Sequence, residues 1–260
     1  MRMADEGERA GDGAFNRWLS ALEARHLADL RLPEVTRALR SLSSAYVERR
    51  GALARGAALD GAGKRAAFAL FYGPLHFLLV RAIVRALDAA AGSPQFIADL
   101  GCGTGAAGAA WALECRPPAS LVGVELHPWA ADEARWTCRT LGIEASVRRG
   151  DLARAAIPSH ASAVIAAFTV NELADGVRSR LLRALIAARD RGAHVLVVEP
   201  IAKSAAPWWG DWAAAVRMAG GREDTWRVPA ELPGIVGRLD AASGLDHREL
   251  TARSLYLNVR

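Results

Sequence analysis

Around residue 100 the chain reads Asp99-Leu-Gly-Cys-Gly-Thr-Gly105. Glycines at alternate positions, Gly101, Gly103 and Gly105, let a backbone turn sharply and approach a ligand closely. An alanine-rich segment follows directly, and a helix starting there aims unsatisfied N–H groups at the same ligand. A nucleotide-like cofactor suits such a turn. Asp99 adds a carboxylate one residue before the preceding apolar run ends, where it suits a cation or an amine better than a pyrophosphate. Glu125 closes a second apolar run about 20 residues past the glycines, the position from which an acidic side chain accepts both ribose hydroxyls. Its other reading is an acid at the start of the next helix.

A literal G-x-G-x-x-G also runs through Gly103, Gly105 and Gly108, so a nicotinamide dinucleotide is an alternative ligand. In that fingerprint the first glycine follows the strand directly. Here the strand ends at Leu100 and Gly101 comes first, which favours a different cofactor.

The seven residues Asp99 to Gly105 resemble the first motif of class I S-adenosylmethionine-dependent methyltransferases. The resemblance implies that Gly101, Cys102, Gly103 and Gly105 pack under the adenosyl and methionyl parts of the cofactor. Asp99 then helps place the methionyl amino group through water or a backbone contact. It also implies that Asp151, after the third strand, accepts a hydrogen bond from the adenine amino group; the alternative is a turn aspartate. Phe168, Thr169, Asn171 and Glu172 follow the fourth strand, where this family lines the sulfonium and the acceptor. The branch that methylates amino groups of nucleic acids carries Asn/Asp-Pro-Pro-Tyr/Phe here; this sequence does not, so an exocyclic base amine loses support. Methyl transfer needs an in-line attack in a site that orients the nucleophile and excludes water. A hydroxyl or protonated amine would also need a base, for which Glu172, His127 and His76 are candidates. Asn171 would orient a carbonyl or amine, or cap the next helix.

A second resemblance covers more of the chain. The helical leader, the apolar segment Ala66 to Leu87, the glycine motif, Asn171-Glu-Leu and Val198-Glu-Pro200 are similar in layout to the methyltransferase-like family of the mitochondrial small ribosomal subunit and its bacterial relatives. The extra cysteines that this family uses as cluster ligands are missing, so no iron–sulfur site or other metal is carried over.

With 260 residues, 52% hydrophobic and 23% charged, the composition is that of a globular domain with a full core. The formal net charge is +5, and Lys64 and Lys203 are the only lysines. Residues 31–65 hold eight basic side chains, Arg31, Arg37, Arg40, Arg49, Arg50, Arg55, Lys64 and Arg65, against Glu34, Glu48 and Asp60. This local excess suits RNA or the ribosomal small subunit as a partner; a genome-wide arginine bias explains it equally. Three cysteines without a CxxC pair suggest neither a disulfide framework nor a zinc knuckle, and fit a reducing cytoplasm. Met1 to Ala14 is polar and lacks the apolar core of a secretory signal, so a flexible tail is expected over residues 1–14.

The elements that must hold these residues follow from periodicity. A helical segment is expected over 15–92, with one helix from Phe15 to Leu30 and a second after Pro33 carrying Val35, Leu39, Leu42 and Tyr46 on one face. The apolar stretch Lys64 to Ala91 should be kinked or split at Gly73-Pro74, leaving no uninterrupted piece long enough for a bilayer and hence no membrane partner. The cofactor-binding domain is expected over 93–260. Strands at Phe96 to Leu100, Leu121 to Glu125, Ala145 to Arg149, Ala161 to Phe168 and His194 to Glu199 alternate with helices, which implies an α/β, doubly wound, mostly parallel Rossmann-like sheet. Leu250 to Val259 and a strand after Gly221 would add an antiparallel edge. Pro207-Trp-Trp-Gly-Asp-Trp212 precedes a short helix and serves either as a packing cluster or as a stacking wall. The expected activity is methyl transfer from S-adenosylmethionine; the alternatives are a weakly catalytic cofactor-binding module of ribosome or RNA assembly, and a nicotinamide-dependent oxidoreductase.

Overall fold

The computed structural model describes residues 2–48, 59–202 and 206–258, with side chains from residue 12 to 44 in the first of these stretches. Arg49, Arg50, Arg55 and Lys203 therefore lie outside the described residues, as does most of the expected loop 51–63. A seven-stranded sheet runs in the order β3-β2-β1-β4-β5-β7-β6. Its strands are β1 Phe96–Leu100, β2 Ser120–Glu125, β3 Ala145–Arg149, β4 Ala163–Ala167, β5 His194–Glu199, β6 Arg222–Pro229 and β7 Glu249–Leu257. The first five pair in parallel, and β7 pairs antiparallel with both β5 and β6. A dinucleotide-binding sheet orders its parallel strands 3-2-1-4-5-6. An antiparallel β7 lying between β5 and β6 departs from that pattern.

Alternate residues of the central strands enter two cores. Ile97, Ile165, Leu196 and Val198 face one, shared with helices α1 Arg2–His26, α2 Leu32–Glu48, α3 Ala62–Ala86, α4 Ala106–Glu114, α5 Pro128–Thr140 and α8 Gly234–Ser243. Ala98, Leu100, Val164, Ala166 and Val197 face the other, against α6 Asp175–Asp190 and α7 Trp209–Met218. The two-residue period of the strands thus places each residue type where its burial is favourable. Phe15, Trp18, Leu19 and Leu22 of α1 and Val35, Leu39 and Leu42 of α2 are buried as their spacing predicts, so the amino-terminal helices share the sheet's own core.

Four expectations differ from the structure. The segment expected to be a tail up to Ala14 is helical from Arg2; Ala14 is buried and Asp12 pairs with Arg81 at 2.7 Å. The stretch expected to be kinked or split at Gly73-Pro74 is not split: it is one helix of 25 residues, by length and composition apolar enough to cross a membrane, with 67% of its most apolar window buried inside the fold. Continuity is kept by a π-turn at Phe68–Tyr72, in which the Gly73 N–H reaches back to the Phe68 carbonyl. This wider turn stands directly before the proline, which would otherwise lose a bond and crowd the preceding carbonyl. The connection from β3 to β4 carries turns rather than a helix; Pro158 forces extended backbone there. Finally, α8 was not expected: its short apolar set, Ile235, Val236 and Leu239, is fully buried but spans only two turns.

Candidate active site

The glycine loop is built at the carboxyl end of β1. Gly101 and Cys102 both donate to the Val124 carbonyl, and Gly105 donates to Cys102 at 2.7 Å, so the loop is fastened to β2 and to itself. Gly101 has φ +68, and a Cβ there would stand 2.2 Å from Thr169 Oγ1. Only glycine allows Thr169 so close. Gly103 has φ +52, and the space beyond it is open, so its missing side chain leaves room for a ligand rather than for protein.

Asp99 and Cys102, expected to pack under the cofactor and to act through water or a backbone contact, lie beneath the loop. Asp99 is 1% exposed and accepts the Gly108 N–H at 3.1 Å, tying β1 to the first turn of α4. Burial pushes its carboxyl up to about 7, opposed by the Gly108 N–H and helped by the charge of Glu125. The Cys102 thiol is buried against Gly123 and pushed well up by desolvation, and the residue's N–H and carbonyl are both engaged within the protein. Each shapes the loop from below.

Glu125 ties the glycine loop to the next helix. Its Oε2 accepts the Gly103 N–H at 2.9 Å and its Oε1 the His127 N–H at 2.8 Å. One carboxylate therefore bridges the glycine loop and the start of α5, and each oxygen keeps a lone pair for a further donor. Leu126 beside it is 56% exposed, a large apolar side chain left open at the carboxyl end of β2. Sequence reasoning missed it, although an apolar residue between the strand-ending Glu125 and His127-Pro128 was a visible signal. Asp151 is exposed and accepts the Ala153 N–H at 2.8 Å through one carboxylate oxygen.

The fourth strand delivers the other wall. Phe168 leaves β4 with φ +57 and its ring stacks on His76 of α3, centroids 4.1 Å apart and planes 16° apart. Val170–Glu172 forms a 3₁₀ turn fixed by Glu199, whose buried carboxylate accepts the N–H groups of Val170 at 2.8 Å and Asn171 at 3.2 Å. Asn171 Nδ2 donates to the same carboxylate at 2.7 Å, and its Oδ1 accepts from Trp208 Nε1 at 3.0 Å. The Asn171 amide, expected to orient an acceptor, is thus held at both ends by protein. Desolvation pushes Glu199 up to about 8 against these donors. The tryptophans divide: Trp209 and Trp212 are core residues, while Trp208 is half-buried and packs on Asn171.

Glu172 ends the turn with its side chain exposed. Desolvation, with the nearby charge of Glu125, pushes its carboxyl up to about 7. Of the other bases considered, His76 is pushed down to about 4 by burial. The His127 ring caps α5 by accepting the Ala130 N–H, and its pKa is lowered, chiefly by desolvation. Glu172 alone among the three combines access with a proton affinity near neutrality. No cluster of metal-binding side chains occurs among the described residues. A cavity of about 740 Å³, lined by Ser93, Phe96, His160, Ser162 and His194, lies at the opposite, amino ends of the strands.

Residues 97–192, which include the glycine loop, Glu125, Asp151 and the Phe168 to Glu172 wall, match the family model described as a methyltransferase domain. Among curated proteins none matches the chain. Of solved structures, the mitomycin 7-O-methyltransferase MmcR is 19% identical with a TM-score of 0.53, covering 93% of this chain and 72% of that one. The methyltransferase domain of a bacterial Hen1, CtHen1-C, is 12% identical with a TM-score of 0.50, covering 72% of this chain and all of that one. These likenesses are of fold. The match to a methyltransferase domain is thus confined to residues 97–192, which lie within a mostly parallel seven-stranded sheet of the class I methyltransferase fold.

Proposed function

We propose that the protein transfers a methyl group from S-adenosylmethionine to an acceptor hydroxyl or amine at Glu172. The observation that carries this is the Glu125 carboxylate held by the N–H groups of Gly103 and His127 beside the open face of Gly103. Its remaining lone pairs suit the paired hydroxyls of a ribose, and Leu126 offers an apolar surface next to it for the base. Asp151 stands at the end of β3, within the same row of strand ends, and suits the adenine amino group. Gly103 gives the methionyl part its room, while Gly101 and Gly105 let the loop pack closely on Thr169 and Ala134; Phe168 and Thr169 stand across from it. When bound, the cofactor supplies an electrophilic methyl on a sulfonium. The protein's tasks are to orient the acceptor, exclude water and take a proton, and Glu172 takes it.

RNA remains a second partner to consider, and the arginines bear on it. Arg40 donates to the Ala242 carbonyl, and Arg65 lies over the Trp129 ring and donates to Leu59, so both are turned to the protein. Arg31 and Arg37 are exposed and suit a phosphate. Among the described residues, the engagement of Arg40 and Arg65 by the protein favours a small-molecule acceptor. The three cysteines, buried and free, support a reducing compartment such as the cytoplasm. Calorimetry with S-adenosylhomocysteine tests the cofactor; absence of binding would overturn the proposal. A salt titration with transfer RNA tests the partner, since phosphate contacts lose affinity steeply with ionic strength.

A further inference from the structure

Four half-buried rings form a continuous strip beside the glycine loop. Phe68 and Tyr72 stand 5.8 Å apart, His76 lies 6.3 Å from each of them, and His76 stacks on Phe168 at 4.1 Å. The strip starts at the candidate active site. Gly73 approaches Thr104 of the loop, where a Cβ would stand 3.4 Å from Thr104 Oγ1, and Thr169, next to Phe168, packs on Gly101.

Two departures from regular backbone meet in this strip. Phe68 and Tyr72 bound the π-turn of α3, and Phe168 is one of few non-glycine residues with positive φ. Both features are costly and tend to persist at functional sites. The buried aromatic cluster Phe15, Trp18 and Phe77 packs on regular helix and needs neither.

Charge narrows the occupant. Burial leaves His76 neutral, with its pKa at about 4, and pushes Tyr72 up to about 12, so both rings are uncharged at neutral pH. At the mouth the carboxyls of Glu172 and Glu125 lie close enough for their charges to act on each other. A phosphodiester would be repelled there; a neutral flat ring would not.

Resting on the cofactor reading above, we propose that the acceptor is an uncharged planar aromatic molecule bearing a hydroxyl, seated on Phe68, Tyr72, His76 and Phe168 with that hydroxyl at Glu172. In the transfer, a lone pair of the acceptor oxygen forms the new O–CH₃ bond as the S–CH₃ bond breaks. The electron pair of the broken bond stays on sulfur, and the hydroxyl proton passes to the Glu172 carboxylate and on to solvent.

The test is calorimetry on the full chain saturated with S-adenosylhomocysteine, titrated with 2-naphthol and with its saturated counterpart decahydro-2-naphthol. Ring stacking beyond mere burial predicts that 2-naphthol binds about tenfold more tightly. The double variant F68L/H76L, which keeps apolar bulk but removes two rings, should lose that preference while holding S-adenosylhomocysteine as the wild type does. Equal binding of the two alcohols by the wild type overturns the proposal without recourse to any variant. So does transfer RNA that 2-naphthol displaces, which would put a nucleic acid on the strip. Failure of S-adenosylhomocysteine itself to bind is a separate result, and it removes the cofactor reading and this inference together.

Discussion

The Glu125 carboxylate accepts the Gly103 N–H at 2.9 Å, so the residue that would hold a ribose also fixes the glycine that makes room for the cofactor. Replacing Glu125 by alanine removes both functions. Two backbone N–H groups lose their acceptor and the ligand loses a partner, which should weaken S-adenosylhomocysteine binding by about 1–3 kcal/mol. Calorimetry reads this directly, and unchanged affinity in Glu125→Ala would contradict the assignment.

Gly101 and Gly103 both have positive φ but face different neighbours, and they should respond differently to substitution. Gly103→Val places a branched side chain in open ligand space. Cofactor binding should vanish while most of the fold is kept, apart from about 1–2 kcal/mol for the left-handed backbone. Gly101→Ala drives a Cβ into Thr169 and should lower the melting temperature further than a left-handed alanine alone would. If Gly103→Val melts early and Gly101→Ala does not, the assignment of open and filled sides is reversed.

Glu199 and Asn171 form a chain in which every donor has one acceptor. The Val170 and Asn171 N–H groups and Asn171 Nδ2 point at the carboxylate, and Trp208 Nε1 points at Asn171 Oδ1. Above about pH 8, where Glu199 is a carboxylate, Glu199→Gln puts an NH₂ where a donor already points. Asn171 can turn its oxygen toward that NH₂ only by presenting its own NH₂ to Trp208. The swap should therefore cost about 1–3 kcal/mol despite its conserved shape. Denaturant unfolding of the variant checks it, and wild-type stability would mean that the chain is wired differently.

Much of this was legible from residue types, and the gaps have physical causes. Strands β1, β2, β3 and β5 ended where apolar runs ended, because the strand ends carry Leu100, Glu125, Arg149 and Glu199. Glu125 stands out in the sequence because its spacing from the glycines is fixed by one helix and one strand. Whether the Asp99 and Cys102 side chains lie above or beneath the loop is not legible in the sequence, because a motif gives order along the chain but not which way a side chain turns. On β1, Asp99 shares its face with Ile97 and so points into the core below α4. The Asn171 to Glu199 bond joins residues 28 apart in sequence, and nothing local announces it. The π-turn was hidden because sequence shows a proline as a break, while the structure absorbs it one turn earlier.

The pH dependence of methyl transfer should report Glu172. Its carboxyl is pushed up to about 7, first by desolvation and then by the negative charge of Glu125. As a base it works only when deprotonated, so the rate should climb about tenfold per pH unit below 7 and level off above it. Glu172→Gln should remove that rising limb together with most of the rate. Glu125→Gln, assayed at saturating cofactor, removes a like charge and should move the limb toward acid, because the carboxylate form of Glu172 then forms more easily. A rate profile of the wild type that is flat from pH 5 to pH 8, with the hydroxyl acceptor in hand, would show that Glu172 is not the base.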